Sequence, residues 1–183
     1  MVRLIRKIYH VLLEYKRRYY LNSLVRHGLA LGSNVTMMDG VFLDPTHCYL
    51  ICIGDNSVLA PNVRLIAHDA STKQHLGYTK LGKIIIEENC FLGDSVLVLP
   101  GVTIGRNSIV GAASVVTKDV PPDTLAAGNP CRVICTVGEY IQRHKEKLQA
   151  GRIPYHTLEQ GHLTVQQKQE ILAFLENDTG YVL

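Results

Sequence analysis

Aliphatic residues recur every six positions through the middle of the chain, at Ile86, Leu92, Val98, Ile104, Val110 and Val116. Four places after each stands a small or β-branched residue: Cys90, Val96, Val102, Ser108, Ser114 and Val120. Glycine follows the aliphatic at Gly93, Gly105 and Gly111. A period of six fits neither a helix nor a simple alternating strand; it is the signature of a parallel β-helix. Within each six, the aliphatic and the small residue face inward from a short strand, while Gly, Asn and Asp take the bend, where positive φ is cheap. One coil cannot bury its own inner face, so the coils must stack into a continuous apolar column.

The beat begins earlier, with Leu31, Met37 and Leu43 in phase; it then slips and resumes at Ile53, Leu59 and Leu65. Ile53-Gly54-Asp55-Asn56-Ser57-Val58 and Ile104-Gly105-Arg106-Asn107-Ser108-Ile109 are copies of one unit. Between Ala67 and Lys83 the rhythm fails in polar, glycine-containing sequence, which predicts a loop thrown out of the coil. Pro121 and Pro122 cannot continue a ladder and predict the end of the coil, and Ala127-Gly128-Asn129-Pro130 predicts a turn. Ahead of the repeats, Leu4, Ile5, Ile8, Val11, Leu12 and Tyr15 stand at helical spacing in a stretch without Pro or Gly. Behind them, residues 138–151 read as a helix, and Thr164 reads as the N-cap of another with Ile171, Leu172 and Leu175 on its apolar face. The expected division is an amphipathic basic helix over 1–27, a repeat domain over 28–135 with its loop at 69–83, and a helical C-terminal extension over 136–183.

Composition refines this picture in a few places. The 183 residues are one domain's worth, and 46% of them are hydrophobic, enough for a core. Aromatics make up only 7% and Trp is absent, which suits a narrow interior filled by Val, Ile and Leu. No stretch has the apolar length of a membrane span and no leader pattern is visible, so a cytoplasmic location is expected. The net charge of +3 is uneven: residues 1–27 hold seven Lys or Arg against Glu14 alone, leaving the remainder acidic. Two readings of that leading helix stay open, a contact with an anionic membrane surface or a cap across the open end of the coil. No nucleic-acid partner is expected. The five cysteines are odd in number and lack a CxxC spacing, so neither a disulfide framework nor a redox motif is predicted. His47, Cys48 and Cys52 are close enough in sequence to be metal ligands, yet no second pair stands at finger-like spacing, and no metal is expected.

Three phrases go beyond what the beat requires: IGDNSVLAPNV (53–63), LPGVTIGRNSIVGAASVVTKDVPP (99–122) and AAGNPCRVI (126–134). In these the chain resembles the hexapeptide-repeat acyltransferases, in particular bacterial galactoside and maltose O-acetyltransferases and capsule-sugar O-acetyltransferases. The resemblance runs from about Leu31 to Ile134. It implies an all-β core in the form of a left-handed parallel β-helix, assembled as a homotrimer with acetyl-CoA sites between subunits. The handedness follows from the resemblance alone, since parallel crossovers are normally right-handed. It also implies acetyl-CoA as acyl donor and, as in polysaccharide biosynthesis, a sugar or glycan hydroxyl as acceptor.

Residue roles follow in the same way. Members of this family place a general base just after the PNV phrase and ahead of the loop, where this chain has His68. An alcohol attacks a thioester poorly, and a neutral imidazole that takes its proton contributes about 10²- to 10⁴-fold. His68 comes two residues sooner after that phrase than in the galactoside enzymes, and His75 inside the loop is the second candidate at the site. For coenzyme A the resemblance points to Thr117, Lys118 and Arg132, to a backbone contact at Ala112, and to Asp94 where the family often has Ser. Cations at the phosphates make physical sense through charge-assisted hydrogen bonds. Cys135 replaces a second arginine of the galactoside enzymes, and Phe91 replaces their usual Trp. The polar residues that hold sugar in that branch fall here on Gly40 and Cys48, so the stretch Asp39 to His47, above all Asp44, is the stand-in for acceptor binding. Competing readings are N-acylation of an amino-sugar nucleotide, a zinc carbonic anhydrase of the same fold, which would need three clustered histidines, and a non-catalytic scaffold.

Overall fold

The computed structural model describes residues 15–16, 18–150, 163–176 and 179–181. The chain divides into two compact units, Met1–Val137 and Gly138–Leu183.

The first unit is a triangular coil whose four turns are built of two- and three-residue strands. Its first turn is β1 (Ala30–Leu31), β2 (Thr36–Met37) and β3 (Phe42–Leu43); its second is β4 (Ile51–Ile53), β5 (Val58–Leu59) and β6 (Arg64–Leu65). Outside the coil lie β7 (His68–Asp69) and β8 (Lys80–Leu81). The third turn is β9 (Ile84–Ile86), β10 (Phe91–Leu92) and β11 (Leu97–Val98), and the fourth is β12 (Thr103–Ile104), β13 (Ile109–Val110) and β14 (Val115–Val116). Finally come β15 (Thr124–Ala127) and β16 (Arg132–Thr136). Strands stack in parallel into three faces: β1-β4-β9-β12, then β2-β5-β10-β13-β15 with β16 added antiparallel at its end, then β3-β6-β11-β14.

Register explains the six-beat. On the first face Leu31, Ile53, Ile86 and Ile104 align; on the third, Leu43, Leu65, Val98 and Val116. Each aliphatic therefore meets its counterpart one turn away, and the six that announced the repeat all have 0% exposure. The serines of the small-residue column are buried as well, but satisfied by backbone. Ser57 Oγ donates to Glu87 O at 2.9 Å and accepts from Cys90 N at 3.1 Å, and Ser108 bridges Pro121 O and Thr124 N in the same manner.

At the corners the structure divides the bend residues by role. The bends with positive φ fall most often to asparagines, Asn34, Asn56, Asn89 and Asn107 among them, all near 57°, with Asp123, Gly40 and Gly101 at others. The glycines that follow the aliphatics serve a different purpose: a Cβ on Gly54 would stand 2.6 Å from Glu88 N, and one on Gly105 2.4 Å from Pro122 N. Glycine is there because the next turn's backbone passes too closely for any side chain. The asparagines themselves form a ladder up one corner. Asn34 donates to Asn56 (3.3 Å), Asn56 to Asn89 (3.2 Å), Asn89 to Asn107 (3.1 Å), and Asn107 to the Asp123 carboxylate (2.9 Å).

Two insertions leave the coil at another corner, between the third and first faces. Residues 44–50 account for the phase slip and include a 3-10 turn, Cys48–Leu50. The break after Ala67 is an antiparallel hairpin of β7 and β8, with the short helix α2 (Lys73–Leu76) at its tip and Gly77 closing it at φ 75°. The paired prolines do not end the coil. Pro122 covers Gly105 at a corner, where no ladder N–H is needed, and the chain adds one further parallel strand, β15, before β16 turns back.

A helix through residues 18–26, α1, covers the first turn: Leu24 and Leu29 are buried in the core, Leu21 packs on it, and Cys48 Sγ points to Leu24 O and His27 O at 3.6 Å each. The leading part of the expected helix, residues 1–14, lies outside the described residues. The second unit holds α3 (Val137–Ala150) from its second residue on and α4 (Val165–Phe174), where Thr164 closes a capping box with Gln167. Among the described residues no helix is long and apolar enough to cross a membrane.

Candidate active site

The chemistry-bearing residues gather where the insertions leave the coil. Leu43 pairs with Leu65, so Asp44, the next residue along, lies beside the chain as it departs toward His68 one turn higher. The Asp44 carboxylate is 1% exposed and fully engaged. Its Oδ1 accepts from Thr46 N (3.1 Å) and His47 N (3.3 Å), and its Oδ2 from Ala67 N (3.2 Å) and His68 Nδ1 (2.5 Å). Burial alone would raise the Asp44 pKa, but the hydrogen bond and charge of His68, with the Thr46 and His47 amides, outweigh it and hold the carboxyl below its ordinary value. An ionised carboxylate can only accept, so His68 Nδ1 carries the proton. In the neutral ring Nε2 is then the nitrogen with the lone pair, on a side chain that is 38% exposed. That is the tautomer a general base requires.

His47 stands beside this pair. Its Nδ1 is 3.7 Å from Asp44 Oδ2, its ring centroid is 5.0 Å from that of His68, and its buried Nδ1 has no hydrogen-bond partner. Asp44, His47 and His68 each present one ligand-type atom within 4.8 Å of the others. The trio His47, Cys48 and Cys52 suggested by sequence proximity does not assemble: Cys48 is buried against α1, and Cys52 is exposed on the first face.

The other expected residues fall into two groups. Thr117 and Lys118 are exposed at the same corner as His68, two turns further along, or about 10 Å at the usual strand spacing. Asp94, Ala112 and Arg132 lie at the opposite edge of the third face. There Ala113 N donates to Asp94 O (2.8 Å), Val115 N to Gly128 O (3.0 Å) and Cys131 N to Val115 O (2.8 Å), which stacks the three segments. Asp94 accepts from Ser95 Oγ at 2.7 Å, and Arg132 donates to Cys131 O at 2.9 Å while remaining exposed. Within one chain the outer column Phe42, Arg64, Leu97 and Val115 separates these groups, with Arg64 lying 4.7 Å over the Phe42 ring. His75 is exposed on α2, at the far end of the hairpin from His68.

Sequence reasoning offered Asp44 to the acceptor and left His68 without an orienting partner; in the structure Asp44 is that partner. The signal was available: Leu43 and Leu65 hold the same place in successive turns, which puts Asp44 and Ile66 side by side.

Similarity to known proteins runs along the same region. A family profile described as "Hexapeptide repeat of succinyl-transferase" matches residues 83–118. The galactoside O-acetyltransferase of Escherichia coli K12 is 44% identical over 99 residues, covering 50% of this chain and 46% of that protein. Among solved structures, a hexapeptide-repeat acetyltransferase of Vibrio cholerae complexed with acetyl coenzyme A aligns with TM-score 0.52 and 32% identity, over 58% of each chain. A galactoside acetyltransferase in complex with coenzyme A aligns with TM-score 0.51 and 27% identity, over 71% of this chain and 84% of that one. The chain spans about half the length of the curated relatives it matches. Over its repeat domain the chain is thus similar to hexapeptide-repeat acetyltransferases, and its coil is the left-handed parallel β-helix.

Proposed function

We propose that the protein is an acetyl-CoA-dependent O-acetyltransferase that acylates a hydroxyl of a sugar or glycan. The observation that carries this reading is the hydrogen bond from His68 Nδ1 to a buried, ionised Asp44, which leaves Nε2 free beside the protruding hairpin. Nε2 takes the acceptor's proton as its oxygen attacks the thioester carbonyl; the tetrahedral intermediate collapses, coenzyme A leaves as the thiol, and no covalent enzyme intermediate is needed. Asp44 holds the ring in the productive tautomer and stabilises the imidazolium that forms.

The acyl donor lies along the corner from Lys118 and Thr117 toward His68, its phosphates near the cations and its thioester at the base. Asp94, Ala112 and Arg132, at the other edge of the third face, reach a donor only if a neighbouring copy brings that edge against this corner. That geometry favours a homotrimer with sites between subunits. The complexes of acetyl coenzyme A and coenzyme A with similar proteins support the donor, and the named galactoside enzyme supports a sugar acceptor.

The test is release of free coenzyme A thiol from acetyl-CoA across a panel of mono- and oligosaccharides. The wild-type protein releases thiol only with an acceptor, and His68→Ala lowers kcat about 10²- to 10⁴-fold while still melting in one cooperative transition above the assay temperature. Near-normal turnover by His68→Ala would remove the mechanism.

A further inference from the structure

We propose that Asp44, His47 and His68 form a site for one divalent cation of the zinc class, and that occupancy of this site switches the base off. Three observations carry it. The donors are two imidazoles and a carboxylate within 4.8 Å of one another, a set that suits zinc, nickel or copper rather than magnesium or calcium, which prefer shells of oxygen. The His47 Nδ1 is buried, faces the Asp44 carboxylate and has no hydrogen-bond partner, so a ligand atom is already in place and unused. His47 is also held: its own N–H donates to Asp44 Oδ1, which pins the Asp44-Pro45-Thr46-His47 turn.

Two of the three edges of the site are close to those of a bound ion, and the third, between the imidazoles, lies within 4.8 Å. With metal–ligand bonds near 2.1 Å, the ligand atoms of a tetrahedral shell sit about 3.4 Å apart. His47 Nδ1 and Asp44 Oδ2 stand 3.7 Å apart, which needs almost no change. His68 Nδ1 is 2.5 Å from the same oxygen and must open by about 1 Å, a small rotation for a side chain that is 38% exposed. The fourth position is left to water.

The consequence for the base follows from imidazole chemistry. In the resting pair Nδ1 carries the proton and Nε2 the lone pair. A cation at Nδ1 takes that nitrogen's lone pair, so the single proton of the neutral ring resides on Nε2. Nε2 can then no longer accept a proton from the hydroxyl. The ion is an inhibitor here, not a cofactor.

The inhibitory half of this proposal rests on the acetyltransferase reading; the binding half does not. Two measurements separate them. Chelator-treated wild-type protein is titrated calorimetrically with zinc chloride, with nickel and magnesium chlorides in parallel, and the zinc-loaded protein is examined by X-ray absorption. We expect one zinc per chain, an all nitrogen and oxygen shell with two imidazoles, nickel binding and no magnesium binding. His47→Gln weakens zinc at least tenfold with the melting temperature unchanged. In the thiol-release assay zinc lowers kcat of the wild type, and His47→Gln shifts the inhibitory concentration up by the same factor. Absence of stoichiometric zinc binding, a sulfur-containing shell, equal magnesium binding, or unaltered affinity in His47→Gln would each overturn the site. Binding as described without any acetyl transfer would leave the site standing and remove the proposed function instead.

Discussion

Replacing Asp44 separates what the carboxylate does by charge from what it does by shape. In Asp44→Asn the amide has two orientations. With its oxygen in the place of Oδ2 it keeps the hydrogen bonds from His68 Nδ1 and from Ala67 N, whose residue is fully buried; the donors left over, Thr46 N and His47 N, lie closer to water. With its NH₂ in that place, Ala67 N would face another donor, at a cost of about 1–3 kcal/mol for a buried unmatched group. The first orientation wins, so His68 keeps its tautomer and loses only the charge. A hydrogen bond to an ionised group is worth about 1.5–3 kcal/mol against about 0.5–1.5 for a neutral one, a difference of about 1.2 kcal/mol, or roughly eightfold in rate. Asp44→Ala removes the acceptor, frees the ring to adopt either tautomer, and leaves Ala67 N unpaired. It should cost at least about 10²-fold in kcat and about 1–3 kcal/mol of stability. The assay is thiol release at saturating acetyl-CoA together with thermal unfolding of each variant. The expected order of kcat is wild type, then Asn, then Ala, with the KM for acetyl-CoA little altered. Equal activity in all three would refute the pairing of Asp44 with His68, and an Asn variant as inactive as His68→Ala would refute the argument from amide orientation.

Acid should reveal the same carboxylate through stability. The Asp44 pKa is lowered on folding, so its contribution is full above the ordinary carboxylate value and is lost as pH falls through the folded one; melting curves taken from about pH 6 to pH 3 should show the gap between wild type and Asp44→Asn closing toward the acid end. In the asparagine ladder, Asn89→Ala loses two side-chain hydrogen bonds and places alanine at φ 58°, together about 2 kcal/mol and roughly 4–8 °C in Tm. Asn89→Gly loses the bonds but not the backbone fit and should cost about half as much; equal losses in the two variants would discard the left-handed contribution.

The coil was legible because every turn reuses the same inward positions, and a buried column tolerates little besides branched aliphatics there. Ile86 through Val116 could be read straight from the chain. The ladder could not, since its partners are separated by 22, 33, 18 and 16 residues, unequal intervals set by the insertions and the final corner. The same insertions hid the base's partner: Asp44 and His68 are 24 residues apart yet adjacent in space. Proximity in sequence misled in the opposite sense at His47, Cys48 and Cys52, where the 3-10 turn sends Cys48 inward to α1 and leaves His47 beside Asp44. Local pattern identified the scaffold; the site depends on stacking across turns.

The ladder also has a direction. A side-chain amide both gives and receives, so each asparagine relays the bond to the next turn, whereas the Asp123 carboxylate receives from Asn107 and has nothing to hand on. It works as a terminus. A whole extra turn duplicated between Asn89 and Asn107 would bring its own relay and slot in without altering either end, while an asparagine appended above Asp123 would have to turn its NH₂ back toward the carboxylate, reversing the direction of the ladder from there on. Lengthening from within therefore keeps every bond of the ladder in one sense, and leaves the first turn, with Asp44, and the closing strands as they are.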